Sequence, residues 1–239
     1  MANIQNLLYR DEYKINDSIQ IRIPKVGEIL KHEDTYYNLV FLLTAMPIDM
    51  MVQLDDMEID FASIDEYGLF LLMFQTIRQL DTSLIFGNLD LLNFQIDINS
   101  QNGDVTLLDV KNNIRIDREI HNQIAIALRK IHHLTKNNRK PANDEAKEFM
   151  ISRARRKQRR LQNSKHDSQL ESLIVAMVNT SEYKYNFEDS KELTIYQFNE
   201  CVRQIIHKVD YDNIIRGVYA GTINAKDLNQ DDLNWLVHK

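Results

Sequence analysis

Apolar positions along the chain change period several times, and each change predicts an element. Ile19, Ile21 and Ile23 alternate with polar residues and stop at Pro24, the pattern of a short strand whose ladder a proline cannot continue. From Asp34 the run Tyr36-Tyr37-Asn38-Leu39-Val40-Phe41-Leu42-Leu43 predicts a buried helix ending before Pro47. Pro47 to Met57 places Met50, Met51, Leu54 and Met57 at helical spacing. Ser63 and Glu66 have capping-box spacing ahead of Tyr67 to Phe74, a helix expected to reach about Leu80 and apolar on nearly every face. Residues 94–116 then alternate: Phe94, Ile96 and Ile98, a turn at Gln101-Asn102-Gly103-Asp104, Val105 to Leu108, and Ile114 with Ile116. This predicts a β-meander. Asp117 caps a helix carrying Ile120, Ile124, Leu128 and Ile131 on one face.

The second half is helical throughout. Asn143 or Asp144 can cap a helix with acidic first turns and a cationic end, the polarity that suits the macrodipole. Phe149, Met150 and Ile151 give it some apolar surface, and from Ser152 to Leu161 there is almost none, so its far half is expected to project into solvent or fray. Ser168 with Glu171 opens a helix bearing Leu170, Leu173, Ile174, Met177 and Val178. Tyr183 to Phe187 predicts an extended connector with aromatic anchors. Thr194 with Gln197 caps a helix to about Lys208, and a second stretch, Asn213 to Ala220, is expected to stop at Gly221. Trp235 is expected to dock on these helices. The fold class is therefore mainly α with a small antiparallel β-meander (α+β): an acidic body over 1–135, a projecting basic helical linker over 136–165, and a helical C-terminal unit over 166–239.

Composition narrows the class. Of 239 residues, 44% are hydrophobic and 27% charged, with six Gly and three Pro, which excludes a collagen-like or wholly disordered chain. The one cysteine, Cys201, excludes an intramolecular disulfide and an all-cysteine metal site, and reads as a helix-packing residue. No stretch approaches a membrane span and the opening residues lack a signal-peptide core, so an intracellular protein without a membrane partner is expected. The net charge of −6 is unevenly spread: residues 136–165 hold 11 Lys and Arg against 3 Asp and Glu, a net of +8, leaving −14 on the rest. A block of this kind is the first candidate for an acidic or polyanionic partner.

Catalytic chemistry finds little footing. No phosphate-binding glycine loop, dinucleotide fingerprint or nucleophile elbow occurs, and no His-Glu-x-x-His spacing exists, so no enzyme activity, metal or cofactor is expected. Asp49, Asp55, Asp56, Glu58, Asp60, Asp65 and Glu66 lack calcium-loop spacing and read as caps and a solvated face. His132 and His133, with Lys136, read as a helix C-terminal cluster. The most specific polar feature is Arg153, Arg155, Arg156, Lys157, Arg159 and Arg160, a candidate surface for nucleic acid or for an acidic protein, including the acidic body of a second copy. Met46, Met50, Met51 and Met57 are candidates for an adaptable apolar groove.

Several segments carry a resemblance: Ile21-Arg22-Ile23-Pro24-Lys25-Val26-Gly27-Glu28-Ile29-Leu30, Tyr36-Tyr37-Asn38-Leu39-Val40, Thr44-Ala45-Met46-Pro47-Ile48-Asp49-Met50-Met51, Asp81 to Asp90, Tyr196-Gln197-Phe198-Asn199 and Gly217-Val218-Tyr219-Ala220-Gly221. On these the chain resembles a tail-module protein family of tailed phages and prophages of Gram-positive bacteria, similar in general character to phage tail assembly chaperones. The resemblance implies a role in tail morphogenesis in the bacterial host cytoplasm, with the tape-measure or tube protein as partner. A virion structural subunit of baseplate or connector type, forming a homo-oligomer, and a nucleic-acid-binding phage protein are the alternatives it leaves open.

Overall fold

The computed structural model describes residues 6–99, 103–162, 168–229 and 232–236. The chain opens with a hairpin, β1 (Glu12–Lys14) against β2 (Gln20–Arg22), in antiparallel register with Tyr13 opposite Ile21. The expected isoleucines Ile19, Ile21 and Ile23 all point inward and are buried. Their partner strand escapes sequence reading because Glu12-Tyr13-Lys14 has one apolar residue and no alternation to detect.

Four helical segments follow: α1 (Val26–Ile29), α2 (Glu33–Thr44), a 3-10 turn over Pro47–Met50 leading into α3 (Met51–Asp56), and α4 (Glu66–Ile77). At the head of α4 the expected capping box is replaced. Asp65 is the N-cap and accepts the Gly68 N–H at 2.8 Å, while Ser63 donates to the Asp60 carbonyl. Asp and Ser compete closely as N-caps, and at Asp65 the side chain gains a second partner in Arg118 that Ser63 has no means to engage. Glu66, thus relieved of capping, turns elsewhere.

After α5 (Ser83–Phe86) comes the expected meander: β3 (Gln95–Ile98), β4 (Val105–Asp109) and β5 (Ile114–Ile116) in order β3-β4-β5, both pairings antiparallel. Part of its first turn, Gln101 and Asn102, lies outside the described residues. Its inner face is narrow. Phe94, Leu107 and Ile116 are buried, whereas Ile96 and Ile98 on the edge strand face solvent. Asp117 caps α6 (Arg118–His132) by accepting the Ile120 N–H, as expected. α7 (Asp144–Gln162) is one continuous helix whose first turn is capped by Asn143, accepting from Ala146.

The remaining helices are α8 (Gln169–Val178), α9 (Phe187–Glu192) and α10 (Ile195–Tyr219). Ser168 and the Thr194–Gln197 capping box start α8 and α10 as expected. Two features differ from expectation. The connector around Phe187 is a short helix capped by Asn186, and the last two predicted helices are one, running unbroken through Val209 to Asn213. No Gly or Pro occurs in that stretch, so the polar residues that suggest a break lack the means to make one. The helix ends at Gly221, whose φ of +73° supplies the left-handed turn, with Thr222 N–H returning to the Gly217 carbonyl. The C-terminal segment docks on α10 mainly through its backbone: the Asn234 and Trp235 carbonyls meet His207 and Gln204, and the Trp235 ring stays half exposed.

Buried side chains from Leu7 to Phe198 form one continuous apolar cluster, so the first and last parts of the chain share a core. A two-bond backbone bridge joins them: Val26 N–H to the Leu193 carbonyl at 2.9 Å and Ile195 N–H to the Pro24 carbonyl at 2.8 Å. Gly27 permits this approach, because a side-chain carbon there would stand 3.1 Å from Cβ of Lys191. Among the described residues no helix is long and apolar enough to cross a membrane.

Candidate functional site

A cleft of about 490 Å³ opens between the start of α4, one face of α6 and the segment that leaves α6 toward α7. Its apolar wall is Met46, Pro47, Ile48, Phe61, Ile64 and Tyr67, and its floor includes His121. Residues 136–141 form the opposite rim, where Lys136 Nζ reaches Glu66 Oε2 at 2.6 Å and Asn137 donates to Asp49 at 2.8 Å.

Four of the cleft's charges pair, Glu66 with Lys136 and Asp65 with Arg118, while Glu119, Arg139 and Lys140 line it without an ion pair among the described residues. Arg129 comes from the inner side of α6 and is 8% exposed; it bonds Glu66 and the Thr44 carbonyl, which closes α2. Burial would raise the Glu66 carboxyl, but hydrogen bonds from Lys136 and Arg129 outweigh it and hold it below the ordinary carboxylate range. Asp65 behaves likewise: burial opposes ionisation, and the Gly68 N–H and Arg118 prevail. His121, 2% exposed, stacks on Phe70 with ring centroids 4.2 Å apart. Burial pushes its pKa down to about 4, against the pull of Glu66 and Asp65, so the ring is neutral at pH 7. A cleft with an apolar wall, paired acids, a neutral imidazole and a cationic rim at Arg139 and Lys140 suits an occupant that brings an apolar face.

At the other end of α6, His132 packs against Tyr36 and His133 is the C-cap residue. His132 Nε2 and the Tyr36 hydroxyl share a 2.9 Å hydrogen bond, and burial again lowers the pKa to about 4. His133 takes the left-handed C-cap conformation, φ +54°, and its ring lies against Tyr196 and 3.6 Å from Glu200. Cys201 is half-buried, and burial pushes its thiol pKa up.

The candidate methionines do not share one surface. Met50 belongs to the core, Met51 is partly buried, Met57 lies at the end of α3 and is 49% exposed, and Met46 alone reaches the cleft wall. The short 3-10 turn at Pro47 is the reason: it rotates Met50 inward and carries Met57 away from Met46.

The basic candidates also divide. Arg155 lies on the inner side of α7, where it bridges Asp55 at 2.6 Å and Asp56 at 2.5 Å; one turn earlier on that side, Met150 and Ile151 touch the core. Lys147 bridges Asp60 at 3.1 Å. Arg153, Arg156, Lys157, Arg159 and Arg160 are exposed and make no ion pair among the described residues. So the helix is anchored past the point where apolar residues stop, and three of the acidic residues expected to be caps and a solvated face, Asp55, Asp56 and Asp60, are its counter-charges. Pairs a hundred positions apart leave no local spacing to read. Among the described residues no cluster of His, Cys, Asp and Glu could hold a metal.

Sequence reading missed His121 as a cleft residue and Arg129 as the buried partner of the cleft's Glu66. The available signal was Arg129 standing on the buried side of α6 beside Ala125 and Leu128, where an unpaired cation would be costly.

Residues 162–238, about a third of the chain, match the family model described as the YomV second domain, a family of phage and prophage type. No curated protein and no solved structure matches the chain. Through the segment that holds α8, α9 and α10, the chain is phage-related and similar to the YomV second domain.

Proposed function

We propose that this is a non-enzymatic phage protein that works by holding a partner polypeptide during tail morphogenesis, as an assembly chaperone or interaction protein, in the host cytoplasm. The observation that carries this reading is the cleft beside Met46, whose wall is apolar and whose acids Asp65 and Glu66 are already paired. Such a surface receives apolar side chains of an amphipathic helix, the kind of segment a tape-measure protein would present before tube subunits enclose it. The groups that could do chemistry are committed to structure: Glu66 is paired, His121 is stacked and neutral, and the Cys201 thiol is disfavoured as thiolate.

Quantitative mass spectrometry of infected cells and of purified mature particles tests this role. The protein is expected to be abundant in the lysate and absent from particles. Stoichiometric presence in particles would overturn the chaperone reading and make the protein a baseplate or connector subunit.

A further inference from the structure

The outward side of α7 bears a second surface, separate from the cleft. Phe149, Arg153, Arg156 and Arg160 follow one another at spacings of four, three and four residues, which places them in one line along the helix. Arg155, Met150 and Ile151 point to the opposite side, where α7 is anchored. The line is therefore turned away from the body by the same contacts that hold the helix. Phe149 is 61% exposed, an aromatic ring with no core to fill, one turn before the first arginine. Lys157 and Arg159 flank the line, and all five cations are exposed without an ion pair among the described residues. From Arg153 to Arg160 the helix rises about 10 Å, enough to follow a few successive phosphates.

We propose that this line binds single-stranded nucleic acid, with the arginines along the phosphate backbone and the Phe149 ring under one base. Charge complementarity alone would also admit an acidic protein. Magnitudes favour nucleic acid. Exposed ion pairs between proteins contribute 0 to about 1 kcal/mol each and need an apolar centre to hold an interface, which this line lacks apart from one ring. Phosphates release condensed counterions when neutralised, so a bare row of cations is sufficient for binding there, and an exposed aromatic adds stacking. The arginines lie where no glutamate or aspartate of α7 follows them; Glu145 and Glu148 precede Phe149.

Fluorescence anisotropy of a labelled oligo-dT against the full chain is the test, with a duplex of equal length and poly-glutamate as competitors. Affinity for the single strand is expected to fall roughly 20- to 100-fold between 50 and 200 mM salt, for three to five phosphates neutralised. Phe149→Ala is expected to weaken binding roughly 5- to 150-fold, the range of one lost stacking contact. Arg153→Gln/Arg156→Gln/Arg160→Gln should abolish binding while the thermal unfolding curve is nearly unchanged, since the line's one side-chain hydrogen bond, Arg156 Nε to the Ser152 carbonyl, lies within the exposed helix itself. Arg155→Gln should leave the affinity within about twofold, because its guanidinium faces the other way. Equal affinity for duplex and single strand with no effect of Phe149→Ala would overturn the single-strand reading. Capture by poly-glutamate in place of the oligonucleotide would overturn nucleic acid altogether and assign the line to an acidic protein. Lack of any binding at 50 mM salt would also overturn it.

Discussion

On lowering the pH from 6.5 to 5, the protein is expected to lose about 3 kcal/mol of folding stability through two histidines alone. His121 and His132 each have a pKa near 4 in the folded chain against the ordinary 6.5. A folded pKa below the unfolded one means that the unfolded chain takes up protons first. Their stabilisation is thus intact above pH 6.5, declines as pH falls toward 4, and is exhausted below it. Each contributes about 3 kcal/mol over the whole window, with His132, which keeps partial solvent access, the smaller share. Against a typical total of about 5–15 kcal/mol this is a substantial share, lost before most carboxylates titrate. Glu66 and Asp65, held below their ordinary range, extend the loss in the same direction at lower pH. Urea midpoints measured from pH 7 to pH 5 should steepen with falling pH, to a slope equivalent to just under two protons at pH 5. His132→Gln, which can still bond the Tyr36 hydroxyl, should remove one of them. An unchanged slope in that variant would mean that His132 is not the titrating group.

Arg129→Met is expected to destabilise the protein by about 3 kcal/mol, at the low end for breaking a buried ion pair because Lys136 still faces Glu66. The Thr44 carbonyl also loses its donor. For a chain of this size the melting temperature should fall by roughly 6–12 °C. Removing both charges in Arg129→Met/Glu66→Met should recover most of the loss, since an apolar pair of similar volume avoids the desolvation cost. A double variant as unstable as the single would show that Arg129 acts through the Thr44 carbonyl rather than through its partner charge. The same pair neutralises Glu66 at the cleft, so part of the stability and one of the cleft's charges rest on one contact.

Much of this architecture was legible from local pattern. Strands reading Ile19-Ile21-Ile23 and Phe94 to Ile116, the Asp117 cap and the Thr194 capping box all rest on spacings within a few residues. What escaped was non-local. β1 has no period of its own and exists because β2 pairs with it. The Lys25–Thr194 bridge that unites the two ends of the core spans most of the chain. The candidate site divided along the same line. That the segment 153–160 is a cationic helix was plain from its residues, but which arginine is spent inside the molecule depended on Asp55 and Asp56, about a hundred positions earlier. The methionines divide in a way spacing does not show: Met50 is in the core, Met57 is exposed and Met46 lines the cleft. The cleft itself has no signature in sequence, being assembled from four separated segments.

Site-specific photo-crosslinking from the cleft tests the central claim most directly. Ala62 lines the cleft and is exposed, so Ala62→p-benzoylphenylalanine places a reactive ketone at its mouth without touching the ion pairs; the same substitution at exposed Gln75, outside the cleft, is the control. In infected cells the Ala62 probe is predicted to yield an adduct with the tape-measure or tube protein that the Gln75 probe does not. The same adduct from both positions, or none from Ala62 while tails assemble normally, would contradict a cleft that holds a tail protein.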